Sequence, residues 1–347
     1  MIGNCHAKIT ENELLTKSAD GFFLVDLCKL QRISWFLASI FLSLSFYWLS
    51  QVLQVRQMAC EMCDFFILFS LKLIDMLGAI IGDVVGSIYE FDNIRTKDFP
   101  FFQTRMECTD DSILTFATAE WILRGGDVAD FYCAYAMNYP CPMGSYGGMF
   151  QQWVVEKARG GAALPYNSCG NGSAMRVAPV GWAFDTEEEV MTWAEKSAVC
   201  THNHPEGVKG AQATAMAILW ARQGVSAVDI EGRITQRFSY DLTMAVEELQ
   251  QRYSWRGIDG KGNGGICQDS VPQAIICALK AKNFEDAVRN AVSIGGDSDT
   301  IGCITGGIAE ALYGVSENMR HKAMNYIPLE FQKILREFEQ RYGANVV

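Results

Sequence analysis

The sequence predicts an all-α domain of many short helices, beginning near residue 76 and continuing to the carboxyl terminus. Apolar residues recur at intervals of three and four, the spacing that places them on one face of a helix. Alternation of apolar and polar residues, which would indicate strands, is hard to find over the length of a strand. Glycines follow several of the apolar runs, as expected where helices end.

Taken in chain order, four segments show this helical spacing clearly: residues 113–121, 211–221, 271–279 and 301–312. Helix ends are predicted at Gly125, Gly224 and Gly314, each shortly after such a run. Longer glycine-rich joints, where the backbone can approach a ligand closely, occur at residues 144–148, 160–172, 257–265 and 295–296.

Composition excludes several classes of protein. The chain has 347 residues, of which 49% are hydrophobic, so it can bury a large core and is too apolar to be disordered. Its formal charge of −11 disfavours binding to nucleic acid or to an anionic membrane surface. Cysteines are spread along the chain, with only Cys60 and Cys63 close together, which fits neither a disulfide framework nor a paired zinc site. We interpret them as thiols in a reducing compartment.

Residues 1–75 differ in character from the rest. An uncharged run from Ile33 to Val55 is long enough for a membrane-spanning helix, which needs about 20 apolar residues. Basic residues flank it on both sides, so they define no orientation. A cleaved signal peptide fits less well, because the run starts late and no small-residue cleavage site follows. The segment is thus a membrane anchor, a variable extension or a misassigned start, with Met76 as a natural beginning of the domain.

Three acidic segments are candidates for chemistry. Asp83 and Glu90 are spaced so that both carboxylates would share one helix face with Gly86. A polar helix stripe would explain this pair without any function. Two further segments precede apolar helices and carry acids and hydroxyls: Thr109, Asp110, Asp111, Asp297, Asp299 and Thr300.

Helix capping accounts for one acid in each of these two segments, because a single cap needs only one. The other acids remain unexplained. Adjacent acids also repel one another, so their clustering requires another reason. Together the carboxylates and threonine hydroxyls form an all-oxygen set, which suits Mg²⁺ or Mn²⁺ and not zinc. Two ions would be needed to neutralise this much negative charge, and such a pair can orient a diol or polarise an oxygen at a reacting carbon.

Glycine-rich loops and a histidine are candidate ligand contacts. Backbone N–H groups in such loops can hold phosphate oxygens, and Tyr146 is available to stack on a base. Asn171 begins a glycosylation sequon, and a glycan would block a binding loop, which favours the cytoplasm. His202 is either a ribose or phosphate contact or an ordinary loop histidine. The candidate substrate-binding residues are Ser145, Tyr146, Gly147, Gly148, Ser168, Gly170, Asn171, Gly172 and His202.

In this order, the segments GDxxGxxxE, TDDS, GNGSAMR, THNHPEG and GGDSDTIG resemble the motifs of the ADP-ribosylglycohydrolase family. The resemblance covers essentially everything after Met76 and implies a compact orthogonal all-α fold with two Mg²⁺ or Mn²⁺ ions in a cleft. It places Glu90 beside the ions, the ribose diol on them and the diphosphate along the glycine-rich loops. Cys169 stands where some members carry an aromatic residue that stacks on adenine. The implied metal ligands are Thr109, Asp110, Asp111, Asp297, Asp299 and Thr300.

We therefore expect hydrolysis of the glycosidic bond between ADP-ribose and an acceptor, which is a protein side chain such as arginine or serine, or a small molecule. The candidate catalytic residues are Glu90, Asp110, Asp111 and Asp299, and which acid carries the proton is left open. The alternatives are a non-catalytic ADP-ribose-binding or structural relative and a metal-dependent nucleotide phosphohydrolase. We expect a cytoplasmic monomer, with anchoring through residues 33–55 as the alternative location.

Overall fold

The computed structural model describes residues 76–343 and the backbone of two short strands nearer the amino terminus. These strands, β1 (Leu15–Lys17) and β2 (Phe23–Val25), pair antiparallel with Leu15 opposite Val25. They belong to one compact unit and the helical domain to another. The predicted spanning run and the Cys60–Cys63 pair lie outside the described residues.

The helical domain confirms the all-α prediction, because residues 76–343 contain helices and no strand longer than an isolated bridge. None of the described helices is long and apolar enough to cross a bilayer. Two 3₁₀ turns, Ser87–Tyr89 and Ile258–Gly260, interrupt the pattern. The α-helices are α1 (Leu77–Gly86), α2 (Asp110–Arg124), α3 (Val128–Asn138), α4 (Gly148–Ala158), α5 (Gly172–Met175), α6 (Ala178–Ala183), α7 (Glu187–Val199), α8 (Pro205–Arg222), α9 (Ala227–Phe238), α10 (Val246–Arg252), α11 (Cys267–Leu279), α12 (Phe284–Ser293), α13 (Ser298–Tyr313), α14 (Glu317–Ala323) and α15 (Leu329–Tyr342).

Helix ends fall where the glycines predict them. Gly125 follows α2 directly with a φ of 77°, and Gly314 follows α13 with a φ of 73°. Gly224 lies one residue beyond the cap of α8. Helices α8 and α13 begin several residues before their apolar patterns do. Their first turns carry polar residues, which apolar periodicity does not detect.

The core is organised around α1 and α13, which pack backbone against backbone. Every residue of α1 is buried, so its apolar character extends all round rather than along one stripe. A Cβ atom built on Gly82 would lie 1.8 Å from the carbonyl oxygen of Gly302. Only glycine permits this approach, which brings the acids at the two helices' ends into one region.

Candidate active site

One cavity of about 370 Å³ is lined by residues from the glycine-rich segments 144–148, 160–172 and 257–265 and from all three acidic segments. Thr109, in contrast, is fully buried and does not line it. The lining also includes Tyr166, Met175, Arg176 and Gly265, which lie in the glycine-rich segments or motifs but were not predicted as site residues. The predicted site residues that line the cavity are Glu90, Asp110, Asp111, Ser145, Tyr146, Gly147, Gly148, Ser168, Gly170, Asn171, Gly172, His202, Asp297, Asp299 and Thr300.

Asp83 holds the first turn of α2 in place. Its carboxylate accepts hydrogen bonds from the backbone N–H of Thr109 at 3.0 Å and of Ser112 at 3.1 Å. It also accepts from the hydroxyls of both residues, with Thr109 Oγ1 at 2.7 Å. Thr109 Oγ1 in turn accepts from the N–H of Asp111, as a helix cap does. Asp83 therefore positions the acids that follow Thr109.

Glu90 does not continue the helix that carries Asp83. The α-helix ends at Gly86 and a 3₁₀ turn precedes Glu90, so the prediction that both carboxylates share one helix face is wrong. The physical reason is partly tertiary: the Glu90 carbonyl accepts from Asn93 Nδ2 at 3.0 Å and, from a distant part of the chain, from Trp255 Nε1 at 2.9 Å. These side chains replace the next helical hydrogen bonds.

Two overlapping groups of carboxylates have the spacing of a cation site. Asp83, Asp111 and Asp299 form one group, and Glu90, Asp297 and Asp299 form the other. Within each group the ligand oxygens lie within 4.8 Å of one another. Glu90 Oε2 and Asp111 Oδ1 are buried and make no hydrogen bond. Because Asp299 belongs to both groups, the arrangement provides two neighbouring oxygen sites.

Burial and mutual repulsion disfavour the charged form of these acids. Burial, followed by the charges of Asp297 and Asp83, raises the pKa of Glu90 to about 8. The pKa values of Asp111 and Asp299 also lie well above the usual range, for the same two reasons. No lysine or arginine in residues 76–343 forms an ion pair with them. Since a buried carboxylate needs a counter-charge, the all-oxygen donor set fits divalent cations.

Asn93 clamps two parts of the site together. Its Oδ1 accepts from the N–H of Gly296 at 2.8 Å, and its Nδ2 donates to the Gly296 carbonyl at 2.9 Å. Gly296 has a φ of 77°, in the left-handed region that favours glycine. Asn93 thereby ties the Glu90 segment to the loop before Asp297, and no spacing or motif in the sequence indicated it.

The asparagine of the predicted sequon is part of the site. Asn171 Nδ2 donates to Asp297 Oδ2 at 2.7 Å, and the side chain is buried. Its backbone N–H donates to the Gly265 carbonyl at 3.1 Å, which joins two glycine-rich loops. A glycan on this amide would break the bond to Asp297.

Tyr146 makes its contacts within the protein. Tyr146 is buried, with its hydroxyl donating to the Tyr139 carbonyl at 2.9 Å and its ring 5.5 Å from that of Phe150. Base stacking by Tyr146 stays a prediction.

The eight cysteines in residues 76–343 are free thiols, as predicted, and Cys169 is partly exposed.

Comparison with known proteins gives one consistent result. The family model for ADP-ribosylglycohydrolase matches residues 75–339. ADP-ribosylhydrolase ARH3 from Mus musculus and from Homo sapiens are each 28% identical to this chain over 331 residues, covering 76% of it and 87% and 89% of the two relatives. The ADP-ribosylarginine hydrolase Tri1 of Pseudomonas putida is 26% identical, covering 70% of each chain.

A solved structure described as an ADP-ribosylglycohydrolase-related protein complex aligns with a TM-score of 0.55 at 23% identity. The alignment covers 79% of this chain and 96% of that one, which supports the shared fold. The family match spans more than half of the chain and contains every residue of the cavity. The chain therefore belongs to the ADP-ribosylglycohydrolase family of hydrolytic enzymes.

Proposed function

We propose that the protein hydrolyses the N- or O-glycosidic bond between ADP-ribose and an acceptor, with two divalent cations, Mg²⁺ or Mn²⁺, as cofactors. The observation that carries the proposal is the shared carboxylate of Asp299, which links two groups of closely spaced acids in the cavity wall. The names of the relatives, ADP-ribosylhydrolase and ADP-ribosylarginine hydrolase, support the substrate class.

The ions would be held mainly by Asp111, Asp297 and Asp299, because Asp299 lies close to Asp111 in one group and to Asp297 in the other. Asp110 and Thr300 line the cavity and can complete the set, and Thr109 lies behind them. When bound, such ions neutralise the acids and polarise ribose hydroxyls at the reacting carbon.

Glu90 is our first candidate for the proton carrier. Its Oε2 atom is buried without a hydrogen-bond partner, and the side chain lines the cavity, so this oxygen is available to hold or to accept a proton. A carboxyl of this kind can protonate the leaving atom or take a proton from the attacking water. Asp110, Asp111 and Asp299 are the other candidates, since all of them line the same cavity.

The glycine-rich segments 144–148 and 160–172 would bind the diphosphate. Ser168 already orders its loop by accepting from the N–H of Gly170 at 3.0 Å. Ser145, Gly147 and Gly148 line the cavity from the other loop, where backbone N–H groups can face an anion.

The free thiols and the engaged Asn171 side chain favour a cytoplasmic location. We propose an ADP-ribosylated protein or small molecule as the partner, and a monomer as the functional state.

The test uses the purified full chain with ADP-ribosylated arginine, ADP-ribosylated serine and a small ADP-ribosyl compound, first with Mg²⁺ and then with a chelator. We expect release of free ADP-ribose from at least one substrate, and loss of release with the chelator. Asp299→Asn should reduce turnover by about a thousandfold or more, as expected for loss of a group acting in the transition state. Asp98→Asn, at an exposed acid outside the cavity, is the matched control.

The same assay separates the competing functions. Phosphate release without free ADP-ribose would favour a nucleotide phosphohydrolase. Metal-dependent binding of ADP-ribose without turnover of any substrate would favour a non-catalytic binding protein.

A further inference from the structure

Arg176 is a fully buried cation without a carboxylate partner among the described residues. Its Nη2 donates to the Ser197 carbonyl at 3.1 Å and to Thr201 Oγ1 at 2.8 Å. The guanidinium also lies over the ring of Tyr132, 4.0 Å from its centre. Because guanidinium groups only donate, the oxygen of Thr201 must act as an acceptor toward Arg176.

Among the described residues, two acceptors meet the hydroxyl of Thr201 with hydrogen-bond geometry. His202 Nδ1 lies 2.7 Å from Thr201 Oγ1, and the Ala198 carbonyl oxygen lies 3.5 Å away. That carbonyl already accepts from the backbone N–H of Thr201 at 3.1 Å and of His202 at 2.7 Å. Since its two lone pairs are occupied, the hydroxyl donates to His202 Nδ1.

An imidazole that accepts at Nδ1 and is neutral carries its hydrogen on Nε2. Burial and the nearby charge of Arg176 hold the pKa of His202 well below its usual range, so the ring stays neutral. Nε2 lies against the loop that lines the cavity, because Cβ atoms built on Gly170 and Gly172 would be 3.4 and 3.3 Å from it.

We propose that Thr201 is a positioning residue, held by Arg176, that fixes His202 as the Nε2–H tautomer so that the ring donates a hydrogen bond to an anionic ligand oxygen at Gly170–Gly172. The identity of that ligand, the diphosphate of ADP-ribose, rests on the proposed function. The tautomer itself depends only on the protein.

The first test needs no ligand. In the full chain labelled with ¹⁵N in the histidine rings, His202→Gln identifies the His202 signals among those of the four histidines. Near neutral pH we expect a protonated Nε2 and an unprotonated Nδ1 in the wild-type ring. A hydrogen on Nδ1, or a mixture of the two tautomers, would overturn the proposal.

The second test compares Thr201→Ser with Thr201→Val. The serine variant keeps the hydroxyl and should retain the tautomer and the affinity for ADP-ribose in Mg²⁺. The valine variant should lose the fixed tautomer and bind about tenfold more weakly, as expected for one lost hydrogen bond. In turnover assays the change should fall on KM rather than kcat.

Unchanged affinity and an unchanged tautomer in Thr201→Val would refute the role of Thr201. If the valine variant does not fold, a hydrogen on Nδ1 in the wild-type ring, or a change of tautomer in Thr201→Ser, still overturns the proposal. Failure of the wild-type protein to bind ADP-ribose would count against the proposed function, whereas the ring measurement would still test the tautomer.

Discussion

Replacing Gly82 by alanine tests whether the close packing of α1 and α13 holds the site together. The added Cβ would lie 1.8 Å from the Gly302 oxygen and 2.4 Å from its carbonyl carbon. Because non-bonded heavy atoms need about 3.5 Å, the helices would have to separate by about 1.7 Å. Overpacking of this size costs about 3 kcal/mol of the free energy of unfolding.

Gly232→Ala provides the matched control. Gly232 lies inside α9, is exposed, and would place its new Cβ in open space. Since alanine is the better helix former, this variant should be more stable than the wild type by about 0.5–1 kcal/mol. The two glycine-to-alanine changes therefore have opposite expected signs.

Urea unfolding of the full chain measures both variants. With a slope of about 3 kcal/mol per molar urea, Gly82→Ala should lower the midpoint by about 1 M without a change of slope. Hydrolase activity should also fall, because α1 carries the carboxylate of Asp83 that orders the start of α2. A Gly82→Ala midpoint equal to that of the wild type or of Gly232→Ala would refute this reasoning.

Three further predictions concern the acids. Asp83→Ala should lower the free energy of unfolding by about 3 kcal/mol, because two N–H groups and two hydroxyls lose their buried acceptor; an unchanged thermal midpoint would contradict this. Mg²⁺ at about a hundred times its Kd should stabilise the wild type by about 2.7 kcal/mol, and Asp299→Asn should abolish the gain; equal stabilisation of both would exclude Asp299 as a ligand. In chelator, the folded Glu90 carboxyl, with its pKa raised from 4.5 to about 8, binds protons that the unfolded chain has lost. Its contribution to stability is therefore lost as pH rises through that interval, and the wild type should lose more stability than Glu90→Gln between these pH values. Parallel pH profiles of the two proteins would contradict it.

Local chemistry explains why much of the site could be predicted from the sequence. Asp111 and Asp299 each lie in the first turn of a helix whose apolar pattern and terminal glycine are visible in the sequence. Glycine-rich segments such as the one around Gly170 indicate by their composition alone that the backbone can come close to a ligand. Both features depend on neighbouring residues only.

Features that depend on distant partners could not be predicted. Asn93 bonds to Gly296, 203 residues away, and Trp255 bonds to the carbonyl of Glu90, 165 residues away. These contacts have no period and no motif, and the bond from Trp255 occupies the Glu90 carbonyl where spacing alone predicts a continuing helix. Likewise, nothing in the sequence around Arg176 indicates that its side chain is buried without a carboxylate partner.

The two helix starts also bear on the choice between helix capping and ion binding as the reason for the clustered acids. At α2 the cap is the Thr109 hydroxyl, which leaves Asp111 Oδ1 buried and unpartnered. At α13 the cap residue is Asp297, and its side chain makes no capping bond; it accepts from Asn171 instead. Capping therefore requires neither of these two carboxylates. Because an unneeded buried charge is costly, their presence supports the proposed cation site.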